Sequence, residues 1–442
     1  MPKYIFTVIT AILAGLLFSG SVQAAPRLQE AGEKTVIVID PGHGGENRGT
    51  IENGHEEKFM TMTTALAMYE ELNLFDDVEV YLTHTEDVDI SLKKRAEFAQ
   101  SVEADFLFSV HYNASLNHEL FGSEVWVSSV YPYNNYGYQF GYEFLSDMRR
   151  QGLLVRGVKT RLGDGGADYY GIIRESVALG IPAVILEHCH VDEARDEVFC
   201  DTDEKLQAFG KNDAHAVARY FGLKSTALNV DYSEYSLAEV REDAVVEETL
   251  SDNTEPELCL LDFSEADYEA GTLSLTVSAI DDNSPLLYYS YSLDGGQTFS
   301  PRQAWPESDT LTGSFRDSFL LELTIPPATV PEVIVRAYNM YDLYTESNPY
   351  ISPQEFCPEP TPEPAGKDRP DVASVEVSAG EPEIQTEVKR GFSYYFVVMF
   401  CLLIAFVMLV LIVVFQYLSW RRRKTRRLQQ RKEEEASRNQ LK

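Results

Sequence analysis

Short apolar runs alternate with stretches of helical periodicity over the first half of the chain. Runs typical of buried strands cover residues 35–39, 78–83, 106–110, 125–128, 170–173 and 183–186. The stretches between them predict helices at 58–72, 91–102, 138–151 and 204–220. Runs that are apolar on both faces and are separated by helices indicate a mostly parallel sheet with helices on both faces. We therefore predict one α/β domain over residues 34–222.

The pattern changes after an acidic stretch, residues 223–257, which is predicted to be a linker. Between residues 258 and 357, short runs such as 273–277 and 319–323 alternate with period two and predict strands. The triplet Asp294-Gly295-Gly296 is a hairpin turn signal. About a hundred residues of this kind predict a β-sandwich, loosely similar to immunoglobulin-like modules.

Both ends of the chain contain apolar segments. The first, residues 4–18, follows Lys3 and predicts a signal peptide over residues 1–24, with a membrane anchor as the alternative. The second, residues 394–418, has no charge and is long enough to cross a bilayer as one transmembrane helix, although a buried core helix has a similar composition. Arginines and lysine at 421–424 then predict a basic cytoplasmic tail, residues 419–442.

These ends predict a single-pass protein of the cell membrane, attached through its C-terminal span. Its α/β domain would lie outside the cytoplasm and its C-terminus inside. A Pro- and Glu-rich linker, residues 358–391, would separate the sandwich from the membrane.

Composition narrows the classes of partner. The chain has 442 residues, enough for two or three domains, and a formal net charge of -33. Such acidity argues against nucleic acid as a partner, because nucleic-acid binding needs a basic surface. In an oxidising compartment Cys259 could pair with Cys357, and Cys189 with Cys200, but the sequence leaves both pairings open.

Three of the predicted strands each deliver a polar side chain at their carboxyl end. His43 lies in a glycine-rich turn after the first strand, while His111 and Glu187 end two later ones. Open α/β sheets assemble their sites at this edge. With Glu57, which precedes the helix at 58–72, two imidazoles and a carboxylate would supply the three protein ligands of a catalytic zinc. Glu187 would then remain as the general base.

Taken in order, these motifs resemble the zinc-dependent N-acetylmuramoyl-L-alanine amidases. The matching segments are Asp40-Pro41-Gly42-His43-Gly44-Gly45, Glu57-Lys58, Ser109-Val110-His111-Tyr112-Asn113-Ala114, Arg156-Gly157-Val158-Lys159, Leu186-Glu187, and Ser91-Leu92 with Arg95. The resemblance implies Zn2+ held by His43, Glu57 and His111, with Glu187 catalytic. It also implies hydrolysis of the amide between N-acetylmuramic acid and L-alanine in peptidoglycan, for cell-wall remodelling. The chain departs from the family pattern at His84, Gln100 and His188-Cys189-His190.

Alternatives remain open for several of these residues. Glu56 competes with Glu57 as a ligand, and Glu187 could instead be a structural partner of Arg156 or Arg174. His188-Cys189-His190 looks like a second metal site, but strand alternation points its imidazoles away from the face that carries Glu187. Packing or hydrogen bonding is therefore the favoured role for both.

Two other functions fit the same motifs. One is a non-catalytic wall-binding or regulatory protein on the amidase fold, which would have no need of a general base. The other is a zinc peptidase that cuts within the stem peptide. The sequence does not indicate what the sandwich binds.

Overall fold

The computed structural model describes residues 34–238, 250–311 and 316–357, all of which lie in one compact unit. The strands of the α/β domain are β1 (Thr35–Pro41), β2 (Ile51–Glu52), β3 (His55–Glu56), β4 (Val78–Leu82), β5 (Phe106–Asn113), β6 (Ser123–Val127), β7 (Val155–Thr160) and β8 (Ala183–His190). Its helices are α1 (Glu57–Leu72), α2 (Leu92–Ser101), α3 (Tyr133–Gln151), α4 (Gly171–Ala178), α5 (Ala194–Glu197) and α6 (Asp203–Phe221).

Six of these strands form one sheet with the order β4-β1-β5-β8-β6-β7. Strand β1 is parallel to β4 and β5, and β5 is parallel to β8, whereas β6 runs antiparallel to β8 and parallel to β7. Helices α2 and α4 cover one face around Leu107 and Ile185. Helices α1, α3 and α6 cover the other around Phe108 and Leu186. The predicted α/β class, with a mostly parallel sheet between two helical layers, is confirmed.

The predicted strand at 170–173 is wrong, because these residues begin helix α4. Ile172, Ile173 and Ser176 are its buried residues, and this spacing suits one face of a helix. The sheet strand in this part of the chain is instead β7, in which Arg156 and Lys159 are buried. Two of the six residues of β7 are charged, so this strand lacks the apolar pattern by which the other strands were predicted.

The rest of the described chain is β structure. A short hairpin of β9 (Lys224–Ser225) and β10 (Val230–Asp231) precedes β11 (Leu258–Asp267), β12 (Thr272–Ile280), β13 (Leu286–Ser292), β14 (Gln303–Ala304), β15 (Arg316–Thr324), β16 (Glu332–Asn339), β17 (Tyr344–Glu346) and β18 (Tyr350–Ile351). One sheet has the order β11-β12-β15 and the other β14-β13-β16-β17, with β18 on β16. Leu275 and Leu323 of the first sheet share a core with Val335 of the second. We call residues 258–357 the sandwich; its likeness to immunoglobulin-like modules stays a prediction.

The sandwich covers the outer edge of the α/β sheet. Thr310 donates a hydrogen bond to the carbonyl of Val155 (2.7 Å), and the amide of Thr160 donates to the hydroxyl of Tyr341 (3.3 Å). Backbone groups on an edge strand are open to unwanted pairing unless something covers them. Both contacts lie along β7, so the sandwich protects the end of the sheet nearest to it.

The cysteines within the described ranges are free thiols: Cys189, Cys200, Cys259 and Cys357. Cys259 donates toward the carbonyl of Val335 (3.8 Å), and Cys357 toward that of Glu269 (3.5 Å). Neither disulfide that the sequence left open is formed.

The predicted location in the cell membrane requires correction. Within the described ranges, no helix has both the length and the apolar composition needed to span a bilayer. The long helices α3 and α6 have 19 residues each but carry charged side chains such as Arg149, Arg150 and Lys205, which a bilayer core disfavours. The prediction of a single-pass membrane protein is thereby contradicted. The segment on which it rested, residues 394–418, lies outside the described residues, as do 1–24, 358–391 and 419–442.

Candidate active site

The turn after β1 brings His43 against the end of β5. His43 has a backbone φ of 68°, in the left-handed region, and Gly44 follows with φ 125°. Gly42 packs so closely that a Cβ there would lie 2.4 Å from Cε1 of His111. Only glycine allows this approach, so the glycine-rich motif sets the distance between the two imidazoles.

A buried ion pair between Arg95 and Asp40 holds the turn after β1 in place. Arg95 donates to Asp40 Oδ1 (2.8 Å) and to the carbonyls of Pro41 (2.6 Å) and His43 (2.5 Å). Asp40 Oδ2 accepts a further hydrogen bond from Ser109 (2.9 Å). Because Arg95 and Asp40 are both almost fully buried, loss of either would leave an unpaired charge in the interior. The pair therefore anchors the backbone that presents His43.

His43, Glu57 and His111 form one cluster. Glu57 Oε1 lies 3.0 Å from both His43 Nε2 and His111 Nδ1, and the three possible ligand atoms lie within 4.8 Å of one another. Tetrahedral zinc with bonds of 2.0–2.1 Å needs ligand atoms about 3.3 Å apart. The two imidazole side chains are 20% and 18% exposed and Glu57 is 4% exposed, so the open side of the cluster faces solvent. The donor set and its spacing fit a zinc ion with one position left for water.

Neighbouring groups orient these three side chains. Asn47 Oδ1 lies 3.0 Å from His43 Nδ1; since an amide oxygen only accepts, this contact favours the proton on Nδ1 and leaves Nε2 free to bind a metal. Glu57 Oε2 accepts from the amide of Thr50 (2.9 Å), and Oε1 accepts from that of Tyr112 (3.1 Å). These bonds hold the carboxylate at the first turn of α1. Glu56, the competing residue, instead pairs with Arg48.

The electrostatics of the cluster favour an ionised Glu57. Burial alone would raise the pKa of Glu57, but its hydrogen bonds with His111 and His43 lower this pKa well below the usual value. Burial likewise opposes protonation of His43, yet the hydrogen bond and the charge of Glu57 outweigh it and raise the pKa of His43. A proton at His43 therefore competes with a metal ion as the pH falls.

Glu187 lies beside this cluster and forms no ion pair with any residue that the structure describes. In the sheet, Glu187 on β8 is paired with His111 on β5 and with Glu124 on β6. Within the described ranges its Oε2 is buried and has no hydrogen-bond partner. Burial, followed by the negative charges of Glu57 and Glu124, raises the pKa of Glu187 well above its usual value. A carboxyl group with an unoccupied oxygen and a raised pKa is suited to proton transfer.

The two arginines considered as structural partners of Glu187 bind elsewhere. Arg156 pairs with Glu124 (2.7 Å) and Asp342 (2.7 Å). Arg174 donates to the backbone carbonyls of Asp168 and Tyr169. The alternative reading of Glu187 as an ion-pair residue therefore has no contact to support it in the described part of the chain.

Sequence reasoning missed Glu124, which lies next to Glu187 on β6. It accepts hydrogen bonds from Arg156 Nε and Lys159 Nζ on one oxygen, and from Asn113 Nδ2 and Trp126 Nε1 on the other. Burial opposes its ionisation, but the charges of Lys159 and Arg156 lower its pKa well below the usual value. The available signal was a carboxylate directly before the apolar run at residues 125–128.

His188 and His190 lie away from the metal cluster and are fully buried. His188 Nε2 is 2.8 Å from Asp213 Oδ2, and its Nδ1 is 3.1 Å from the carbonyl oxygen of His111. His190 Nδ1 is 3.1 Å from the carbonyl oxygen of Gly122. Both imidazoles thus have the packing and hydrogen-bonding role that strand alternation favours, and His188 supports the backbone of His111.

Comparison with known proteins places this site in context. Residues 37–219 match the family described as N-acetylmuramoyl-L-alanine amidase. The chain is 31% identical over 198 residues to the N-acetylmuramoyl-L-alanine amidase CwlM of Bacillus licheniformis, covering 43% of this chain and 70% of that protein. It is 30% identical over 192 residues to the sporulation-specific N-acetylmuramoyl-L-alanine amidase of Bacillus subtilis (strain 168), again covering 43% and 70%.

A solved structure is also similar to part of the chain. The catalytic domain of CwlV, an N-acetylmuramoyl-L-alanine amidase from Bacillus (Paenibacillus) polymyxa var. colistinus, is 26% identical, with a TM-score of 0.38. The alignment covers 43% of this chain and 99% of that domain.

Proposed function

The chain belongs to the N-acetylmuramoyl-L-alanine amidase family, and we propose that His43, Glu57 and His111 bind its zinc ion while Glu187 is its general base. The activity is hydrolysis of the amide between N-acetylmuramic acid and L-alanine in peptidoglycan. The observation that carries the proposal is the convergence of three ligand atoms within 4.8 Å beside a carboxyl oxygen that has no partner among the described residues.

The site divides the reaction between the metal and the protein. When bound, zinc supplies a positive charge that acidifies a water molecule and polarises the scissile carbonyl. Glu187 accepts the proton that the attacking water loses, and then donates it to the departing nitrogen of L-alanine. Its raised pKa suits both steps, because a carboxyl group of ordinary acidity returns a proton poorly near neutral pH. Asp40 and Arg95 keep His43 in place throughout, since both are buried and paired.

The test combines metal content with product identity. Purified protein should contain about one zinc per chain and lose hydrolysis of purified peptidoglycan on chelation, with recovery when zinc is restored. Mass spectrometry should find free N-terminal L-alanine on the released peptides and intact lactyl groups on the glycan. Glu187→Gln should keep its zinc and lower kcat by about 10²–10⁴-fold. His111→Ala should lose both zinc and activity.

Each alternative function predicts a different result. A wall-binding protein would sediment with peptidoglycan but release no peptide, and Glu187→Gln would change nothing. A stem-peptide peptidase would release fragments cut between amino acids and leave the muramoyl amide intact. Activity that persists in the zinc-free protein would contradict the ligand assignment itself.

A further inference from the structure

A buried guanidinium joins the sandwich to the active-site strands. Arg156 of β7 is 2% exposed. Its Nε donates to Glu124 of the α/β domain, while Nη1 and Nη2 donate to the Tyr288 hydroxyl and to Asp342 Oδ2 of the sandwich, each at 2.7 Å. Both sandwich residues have a second anchor, since the Tyr288 hydroxyl donates to the carbonyl of Phe121 and Asp342 Oδ1 accepts from Arg302 (2.9 Å). The position of Arg156 is therefore set from both sides of the interface.

Glu124 connects Arg156 to Glu187, because it binds the first and lies opposite the second. Arg156 and Lys159 each lie 2.7 Å from the same oxygen, Glu124 Oε2. Glu124 in turn is directly opposite Glu187 in the pairing of β6 with β8. Residues paired across strands have Cβ atoms only about 5 Å apart, so a shift of Glu124 changes the immediate surroundings of Glu187.

The balance of charge explains why the sandwich residues are needed. Arg156 and Lys159 place two positive charges beside Glu124, which neutralises one of them. Asp342 of the sandwich pairs with Arg156 on one oxygen and with Arg302 on the other, so it is the carboxylate that holds the outer end of the Arg156 guanidinium. Glu187 is paired with Glu124 across the two strands, and among the described residues its buried Oε2 has no hydrogen-bond partner. If Arg156 lost its contacts with Asp342 and Tyr288, its positive charge would be attracted to the carboxyl group of Glu187 and could pair with it.

We propose that the sandwich completes the catalytic centre: Tyr288 and Asp342 are positioning residues that hold Arg156 on Glu124 and away from Glu187. The proposal rests on the role of Glu187 given above. It assigns to the sandwich a part in the amide hydrolysis that is separate from any binding of the cell wall. It also explains why Arg156 and Lys159 lie buried in an edge strand, where their charges would otherwise be costly.

The experiment uses the full chain and a matched pair of substitutions at the same interface. Asp342→Asn removes the charge that balances Arg156. Asp309→Asn removes a carboxylate that is paired with an arginine at the same distance but in a more exposed position. Asp309 Oδ1 lies 2.7 Å from Arg149, which has no contact with Glu124 in the described structure. Zinc content, kcat and KM on purified peptidoglycan are measured for both, at a temperature well below thermal unfolding.

We expect Asp342→Asn to lower kcat at least about tenfold, as small displacements of catalytic groups do, with zinc content and KM close to wild type. Asp309→Asn should stay within about twofold of wild type, since it is an exposed pair. Tyr288→Phe should resemble Asp342→Asn in direction, and Asp342→Glu, which keeps the carboxylate, should recover most of the loss.

Two results would overturn the proposal. One is an Asp342→Asn variant whose kcat matches that of Asp309→Asn, even if its thermal stability is lower, because the sandwich contact would then be structural only. The other is equal loss in Asp342→Asn and Asp342→Glu. Failure of the proposed function looks different, since the wild-type chain would then be insensitive to chelation or to Glu187→Gln.

Discussion

Glu57, Glu124 and Glu187 lie on neighbouring elements of one site, yet their surroundings favour different protonation states. Imidazole contacts keep Glu57 ionised, and two cations keep Glu124 ionised. For Glu187, burial together with the charges of the other two carboxylates outweighs the charge of Arg156 and raises its pKa. What each of the three carboxyl groups touches therefore suits the roles proposed for Glu57 as a ligand and Glu187 as a proton carrier, with Glu124 as a fixed charge.

This division predicts a pH effect that can be measured. As a general base, Glu187 works only when ionised, so kcat/KM should fall as the pH drops through its raised pKa. Glu124→Gln removes one of the negative charges that raise this pKa. The pKa of Glu187 then falls, and the acid limb of the kcat/KM profile should move to lower pH when measured at saturating zinc.

A buried acid from the other side of the sheet is the matched control. Glu143 pairs with Arg219 (3.2 Å), and its charge is not among those that shift Glu187. Glu143→Gln should therefore leave the acid limb where it is. An acid limb that stays in place or moves to higher pH in Glu124→Gln would show that another group controls it.

At the scale of elements, the proposed zinc site depends on how closely the turn after β1 packs on β5. Gly42→Ala would place a Cβ 2.4 Å from the His111 ring, and hydrogen bonds of the Gly42 carbonyl with Thr61 (2.8 Å) and of the Gly42 amide with Val110 (2.9 Å) oppose a shift of the backbone. We expect this variant to displace His111 and to weaken zinc binding by about tenfold or more, as changes around metal ligands do. Competition with a chromogenic chelator measures the affinity.

Gly163→Ala is the control for that substitution. Gly163 lies in the loop after β7, and an added Cβ would meet its nearest neighbour at an ordinary 3.6 Å. This variant should bind zinc as the wild type does. Unchanged affinity in Gly42→Ala would mean that the turn can move without disturbing the ligands.

Some strands of the α/β sheet could be predicted from the sequence and others could not. Strands β1, β5 and β8 are apolar runs whose carboxyl ends carry His43, His111 and Glu187, so both the sheet and the cluster could be predicted. Strand β7 could not be predicted in this way, because it contains the buried charges of Arg156 and Lys159. Lys159 is paired with Glu124, and Arg156 also binds partners more than 130 positions later in the chain. Charges that are neutralised at such distances carry no local pattern.

At the scale of the molecule, the α/β domain and the sandwich share apolar packing as well as ion pairs. Phe121 of the α/β domain lies in one buried cluster with Leu287 and Met340 of the sandwich. Leu311, from the sandwich, is buried in the core that surrounds α1, α3 and α6. Each such side chain is worth about 1.5–3 kcal/mol when fully buried. Unfolding of the sandwich alone would therefore open the core of the α/β domain.

We accordingly expect the two parts to unfold together, and the tryptophans allow this to be measured. Trp126 reports on the α/β domain and Trp305 on the sandwich. Two full-length variants, each keeping one of these and carrying Phe at the other and at Trp420, should each show a fluorescence midpoint that coincides with the loss of far-UV circular dichroism. Leu311→Ala should lower both midpoints, since it removes a side chain buried between the two parts. A sandwich that melts while Trp126 still reports a folded environment would mean that the interface is too weak to couple them, and Arg156 would then lose its outer partners well before the α/β domain unfolds.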